Sequence, residues 1–242
     1  MAPDSSPPSS DPNSPATDHD VSLIAHRGCA DQAPENTIAA VEAAAPHVDA
    51  IEIDVRACDT GEIVVFHDET LDRVTDATGR VDDTSLGALR DLDVLGTGEP
   101  IPTLGEVLST VAAAPGDVGL DVELKTPGIE RRVLDACGPA AVDVRYSSFH
   151  ESTLRELRRI DEDASLAVLC SRLPTMHLTL ASAIDATAIH PSKVLAWTTD
   201  VVHAARDSGL GVNVWTVGTA REARRSVDAG VDGIIADRWD VL

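Results

Sequence analysis

Short apolar runs recur from Val21 to the C terminus, and stretches of helical hydrophobic period lie between most of them. Runs of this length bounded by polar turns read as buried strands, and apolar positions three and four apart read as helix faces. The strands predicted are VSLIAH (21–26), AIEIDV (50–55), EIVVFH (62–67), VGLDVELK (118–125), VRYSSF (144–149), SLAVLC (165–170), DATAIH (185–190), GVNVWTV (211–217) and VDGIIAD (231–237). Helical patterns cover 35–45, 104–113, 129–137, 151–160, 200–208 and 220–229, with a short one near 85–91. Thr103 with Glu106 three residues on forms a capping box at the start of one of them.

The second and third strands are joined by only six residues, 56–61, ending in a DTG turn, a connection too short for a crossover helix. They therefore form an antiparallel hairpin, and a turn centred near Thr60 brings His67 back opposite Ile53 and Asp54. Setting that return strand aside leaves eight strands alternating with helices, the pattern of an α/β fold of the (β/α)8 TIM barrel type. An open doubly wound sheet is disfavoured, because the first strand runs into His-Arg-Gly rather than a glycine-rich nucleotide fingerprint. Residues 68–103 are long for a connection, which predicts a small insertion after the second barrel strand.

The apolar residues are mostly Ala, Val and Leu, with two Phe, one Tyr and three Trp, so a small-aliphatic core is expected. Nineteen Lys and Arg against 41 Asp and Glu give a net charge of −22. That charge repels nucleic acid and anionic membranes. It also resembles the acidic surface of halophilic proteins, whose self-repulsion salt screens. Cys29, Cys58, Cys137 and Cys170 are scattered, which predicts free thiols rather than a zinc site or a disulfide framework. Residues 1–20 are Pro/Ser/Asp-rich with no Lys or Arg, and read as a disordered acidic tail rather than a secretory signal. No apolar run reaches membrane-spanning length, and cytoplasmic residence is the expectation.

The chemistry gathers at strand ends, where barrels build their sites. Glu52 and Asp54 are two apart and face the same way on one strand, and Glu123 and Lys125 repeat the spacing on the next barrel strand. Carboxylates held together need a cation or a proton between them, and three oxygen donors suit Mg²⁺ or Ca²⁺. The competing reading is a pair of ordinary strand-end ion pairs, Glu52–Arg56 and Glu123–Lys125. His26 and His67 are the acid/base candidates, and Asp68 could orient a histidine or cap the next segment. Arg27 and Lys125 offer positive charge for a phosphate.

HRG, PENT, E-I-D, VVFHD, E-L-K, SSF, WTV and GVDGIIAD, in that order, resemble the glycerophosphodiester phosphodiesterase family from about Val21 to Asp240. The resemblance implies a (β/α)8 barrel with an insertion after the HD motif. It implies a divalent cation, Mg²⁺ or Ca²⁺, on Glu52, Asp54 and Glu123, catalytic histidines at His26 and His67, and phosphate contacts from Arg27 and Lys125. Glu35 and Asn36 of PENT would line or brace the site, and Trp215 would border the pocket. The implied reaction is hydrolysis of a small glycerophosphodiester to sn-glycerol 3-phosphate and an alcohol. Ala236 stands where the family commonly has Thr before the final Asp. A lysophospholipid phosphodiesterase on the same barrel, or a barrel that binds metal and phosphoesters without turnover, are the alternatives.

Overall fold

The computed structural model describes residues 21–242. The predicted acidic tail, 1–20, lies outside the described residues. The strands are β1 (Ser22–His26), β2 (Ala50–Ala57), β3 (Ile63–Val65), β4 (Gly119–Leu124), β5 (Val144–Ser148), β6 (Ser165–Cys170), β7 (Ala188–Pro191), β8 (Gly211–Val217) and β9 (Gly233–Ala236). The helices are α1 (Ile38–Ala44), α2 (Leu86–Arg90), α3 (Leu104–Ala113), α4 (Glu130–Cys137), α5 (Glu151–Ile160), α6 (Pro174–Ala183), α7 (Lys193–Thr198), α8 (Val201–Asp207) and α9 (Ala220–Asp228).

All strands but β3 are parallel, and β1 pairs with both β2 and β9, which closes the barrel. Outward-facing strand residues such as Ile51, Ile53, Leu120, Val122, Leu166 and Val212 are fully or almost fully buried under the helices. Each such aliphatic side chain stabilises the fold by about 1.5–3 kcal/mol. The core is as poor in aromatics as the composition implies: Tyr146 and Phe66 are its only buried Phe, Tyr or Trp side chains among the described residues.

Where β1 ends, at the His26–Glu52 pair, β2 continues to Ala57. The edge left open is taken by β3, with Val55 opposite Val65 and the Phe66 amide donating to the Asp54 carbonyl at 2.8 Å. Continuing that register sets His67 opposite Ile53, as the hairpin argument required. The segment after β3 folds over its own apolar cluster, including Phe66, Leu71, Val74, Val81, Leu89 and Ile101. This is the small excursion expected from the long connection. Thr103 and Glu106 form the predicted capping box of α3.

Helices α6 and α7 escape the hydrophobic pattern. In α6 only Leu180 and Ala181 are buried while Met176 is 65% exposed, so no apolar face repeats at helical period. The six-residue α7 is set by its cap, the Ser192 hydroxyl accepting from the Leu195 amide. Helix α1 begins later than its pattern suggested. Asn36 holds a left-handed φ of 58°, and Thr37 is the N-cap, accepting from the Ala40 amide.

Candidate active site

The His-Arg-Gly turn explains its own sequence. Arg27, Gly28 and Cys29 have φ of 52°, 78° and 66°, a tight left-handed turn at the mouth of the barrel. A Cβ on Gly28 would stand 2.6 Å from the Ala40 Cβ, so both the backbone angle and the approach of α1 demand glycine. The turn folds Arg27 back over the strand ends. Its amide donates to Glu52 Oε2 at 3.0 Å, its Nη1 to Glu35 Oε1 at 2.9 Å, and its Nε lies 3.1 Å from Asp54 Oδ2.

Glu52, Asp54 and Glu123 are buried, each with a carboxylate oxygen within 4.8 Å of the others. The β2–β4 register makes this unavoidable, because Asp54 sits beside Glu123 and Glu52 shares their inward face. Asn36 fixes Asp54 from both sides, its Nδ2 donating to Oδ2 at 2.9 Å and its Oδ1 accepting the Asp54 amide at 3.2 Å. Lys125 Nζ is 2.6 Å from Glu123 Oε1 and 3.3 Å from Asp54 Oδ1. Glu123–Lys125 is thus an ion pair, but a buried one shared with Asp54. The Glu52–Arg56 pair does not form: Arg56 Nε donates instead to the His67 carbonyl at 2.9 Å.

The electrostatics separate the three acids. Burial, then Asp54 and Glu123, pushes Glu52 well above the usual carboxylate range. Burial and the neighbouring Asp54 push Glu123 up to about 7. Burial would also raise Asp54, but Lys125, Arg27 and His67 outweigh it and hold it down at about 2. Without a cation the cluster therefore takes up protons. Three hard oxygen donors, one of them the buried Asp54 Oδ1 without a hydrogen-bond partner, fit a divalent cation of the Mg²⁺ or Ca²⁺ kind.

Both candidate histidines pair Nδ1 with a carboxylate. His26 Nδ1 lies 2.6 Å from Asp237 Oδ1, and His67 Nδ1 lies 2.5 Å from Asp68 Oδ1. An acceptor there places the proton on Nδ1 and leaves Nε2 for chemistry. Burial lowers His67 below the ordinary imidazole value, although Asp54 pulls the other way. Both rings line one cleft of about 110 Å³ together with Arg27, Glu52, Glu123, Lys125, Phe149 and Trp215. The Trp215 indole donates to the His190 carbonyl at 2.7 Å and meets Phe149 edge-on at 5.5 Å. Cys29 is buried against Ala236, and burial pushes its thiol up to about 12, so it is an inert neighbour.

Two partners were missed by sequence reasoning. Asp237 was visible only as the end of the last strand motif, with no signal that it faces His26. Arg73, from the insertion, donates through Nε to Asp68 Oδ2 at 2.5 Å and through both terminal nitrogens to Glu35 at 2.7 Å. No local pattern marks it. Below the cleft lies a buried polar layer, in which the Asn213 amide meets His190 Nε2 at 3.1 Å and the Ser147 hydroxyl donates to Asp121 at 2.8 Å. Burial lowers His190 to about 4, so this imidazole is neutral.

The model of the glycerophosphoryl diester phosphodiesterase family matches residues 26–241. A glycerophosphodiester phosphodiesterase of Caldanaerobacter subterraneus subsp. tengcongensis is 34% identical over 91% of this chain and 95% of its own length. An Oleispira antarctica phosphodiesterase, solved with the product sn-glycerol-3-phosphate, superposes with a TM-score of 0.83 at 26% identity, covering 89% of this chain and 92% of that one. A glycerophosphodiester phosphodiesterase of Agrobacterium tumefaciens gives a TM-score of 0.77 at 28% identity over 91% of this chain and 98% of the other. With the motif residues gathered in one cleft and the match running through nearly all of the barrel, the chain belongs to the glycerophosphoryl diester phosphodiesterase family.

Proposed function

We propose that this protein hydrolyses glycerophosphodiesters to sn-glycerol 3-phosphate and an alcohol. The observation that carries the reading is the joint placement of two carboxylate-paired histidines, two cations and three buried carboxylates around one cleft. A divalent cation held by Glu52, Asp54 and Glu123 would supply Lewis-acid charge at a phosphoryl oxygen. Arg27 and Lys125 bind and orient the phosphodiester, Arg27 held in place by Glu35 and Asp54. One histidine takes a proton at Nε2 from the attacking oxygen, and the other gives one to the leaving alcohol. Asp237 and Asp68 keep both rings in the required tautomer. Trp215 and Phe149 border the substrate.

No described helix is long and apolar enough to cross a membrane. The four cysteines are free, as a reducing compartment leaves them, which supports the cytoplasm. A second reading has one observation behind it: Phe149 (41% exposed), Leu173 (60%), Met176 (65%) and Val194 (60%) all lie just beyond the C-terminal ends of β5, β6 and β7. Such an apolar rim suits an acyl chain, hence a lysophospholipid.

The test is glycerol 3-phosphate release from glycerophosphocholine and glycerophosphoethanolamine, first in EDTA and then with Mg²⁺ or Ca²⁺ restored. Metal-dependent release, lost in His26→Ala and Glu52→Ala, supports the proposal. Turnover of a lysophospholipid alone, reduced by Leu173→Ser, favours the second reading. No turnover of either overturns both.

A further inference from the structure

A second pocket, of about 210 Å³, opens behind the active site between the end of β2, the insertion and the loop that follows β4. Arg56, Arg80, Arg132 and Thr126 line it, with Glu69 and Asp82. Three arginines in one pocket stand out in a chain of net charge −22. Two of them already have work. Arg80 is held by Asp82 at 2.8 Å and Glu69 at 3.2 Å, and Arg132 Nη1 donates to the Gly61 carbonyl at 2.7 Å.

Arg56 is different. It is 8% exposed, and its one hydrogen bond uses Nε, on the His67 carbonyl. Among the described residues its terminal nitrogens make no hydrogen bond and no ion pair, because the nearby carboxylates of Glu69 and Asp82 are turned to Arg80. Glu69, Asp54, Asp68 and Asp82 lie near enough to act on its charge, but none pairs with its terminal nitrogens, whose planar fork matches two oxygens of a phosphate or carboxylate. The Arg132 Nη2 and the Thr126 hydroxyl are likewise uncommitted among the described residues and line the same space.

We infer that this cavity is a second anion site, in which Arg56 and Arg132 bind a small oxyanion such as inorganic phosphate or the phosphate of a phosphomonoester. It is separate from the phosphate contacts of Arg27 and Lys125, yet adjoins Lys125 along the chain. Thr126 follows Lys125, and Arg56 anchors the backbone of His67. An anion bound here acts on the position of His67 and touches no reacting atom. The site does not depend on the proposed reaction, since it is defined by a cavity and an unpaired side chain outside the catalytic cleft.

The probe is inorganic phosphate, titrated calorimetrically into the full chain carrying Arg27→Met, in EDTA and about 0.15 M salt, where the Debye length is about 8 Å. The catalytic cleft then lacks both the metal and the Arg27 guanidinium, and any phosphate that Lys125 still holds there is indifferent to Arg56 and Arg132. The expected result is one phosphate per chain with a Kd of order 1 mM. Affinity should fall at least about fivefold in Arg56→Met and, separately, in Arg132→Gln, each added to that background. Arg132 is exposed, so its variant reports on the site even if Arg56→Met folds poorly. A phosphomonoester that binds more tightly than inorganic phosphate would identify the organic ligand; equal affinity would identify phosphate itself. Failure to bind phosphate up to about 20 mM, or binding indifferent to Arg132→Gln and to a folded Arg56→Met, overturns the inference.

Discussion

Arg73 grips Glu35 through two parallel hydrogen bonds of 2.7 Å, one side chain from the insertion and the other from the loop that follows β1. The same arginine holds Asp68, which holds His67, and Glu35 in turn holds Arg27. A single chain of paired charges thus connects one candidate catalytic histidine to the candidate phosphate arginine. Arg73 is 46% exposed in its side chain, so its removal should cost at most about 1 kcal/mol of stability. Its effect on geometry is larger. Arg73→Ala is expected to lower kcat about ten- to hundredfold with a smaller change in KM, and Arg73→Lys to recover only part of the loss. Steady-state kinetics beside a thermal melt separate the two effects. A variant that loses stability but keeps kcat would make Arg73 a structural tie only.

Asp237 and Asp68 give a second prediction. If they set the tautomers of His26 and His67, replacing each by Asn leaves the ring in place but lets it turn or protonate on the wrong nitrogen. Asp237→Asn and Asp68→Asn should each reduce kcat by about ten- to a thousandfold, and His26→Ala or His67→Ala by about 10²–10⁴. KM should move little, since Arg27 and Lys125 remain. An Asp237→Asn enzyme as active as the wild type would show that His26 is oriented by something else.

The barrel was legible because its strands are apolar and regularly spaced, and the site because Glu52, Asp54, Glu123 and Lys125 announce themselves by parity on two strands. Parity survives translation into structure: whatever the strand's tilt, residues two apart share a face. The partners of the histidines were not legible. Asp237 meets His26 only through the β1–β9 pairing that closes the barrel, a contact between the two ends of the chain. Arg73 lies in a segment without periodicity, and its three bonds depend on how the insertion docks. Helix α6 was lost for the opposite reason: Met176, and Leu173 just before the helix, point to solvent, so its apolar residues trace no buried face. Arg56 illustrates the same limit, since its spacing to Glu52 suggested an ion pair that the His67 carbonyl replaces.

Net charge yields a third prediction. Of the net charge of −22, −18 falls in residues 21–242 and repels itself in the compact state, and added salt shortens the reach of that repulsion from roughly 30 Å at 0.01 M to about 3 Å at 1 M. The thermal midpoint should therefore rise by several degrees as NaCl is raised over that range at pH 7. The gain should shrink near pH 4.5, the sequence pI. A midpoint that falls with NaCl at pH 7 would mean that the ion pairs of the surface and the insertion outweigh the self-repulsion.

The acidic cluster predicts how stability depends on pH and on metal together. Glu123, at about 7 in the fold against an ordinary 4.5, binds its proton more tightly folded than unfolded. Its contribution is complete below the ordinary value and is lost as the pH climbs through about 7. Glu52 is raised as well and adds in the same direction. Asp54, held at about 2 against 3.8, runs oppositely: its contribution is present above 3.8 and is lost only as the pH falls toward 2. Between pH 5 and 8 the two raised groups therefore dominate the cluster. In EDTA the wild-type chain should lose on the order of 1–3 kcal/mol more over that window than Glu123→Gln, whose side chain cannot ionise. A divalent cation should reverse the slope, because it competes with protons for the same oxygens and its advantage grows as they leave. Melts with Mg²⁺ or Ca²⁺ should show an increase over EDTA that widens from pH 5 to 8 and vanishes in Glu52→Gln. If that increase persists in Glu52→Gln, the cation binds elsewhere. If the EDTA slope is the same in Glu123→Gln as in the wild type, Glu123 is ionised throughout and Lys125 alone balances it.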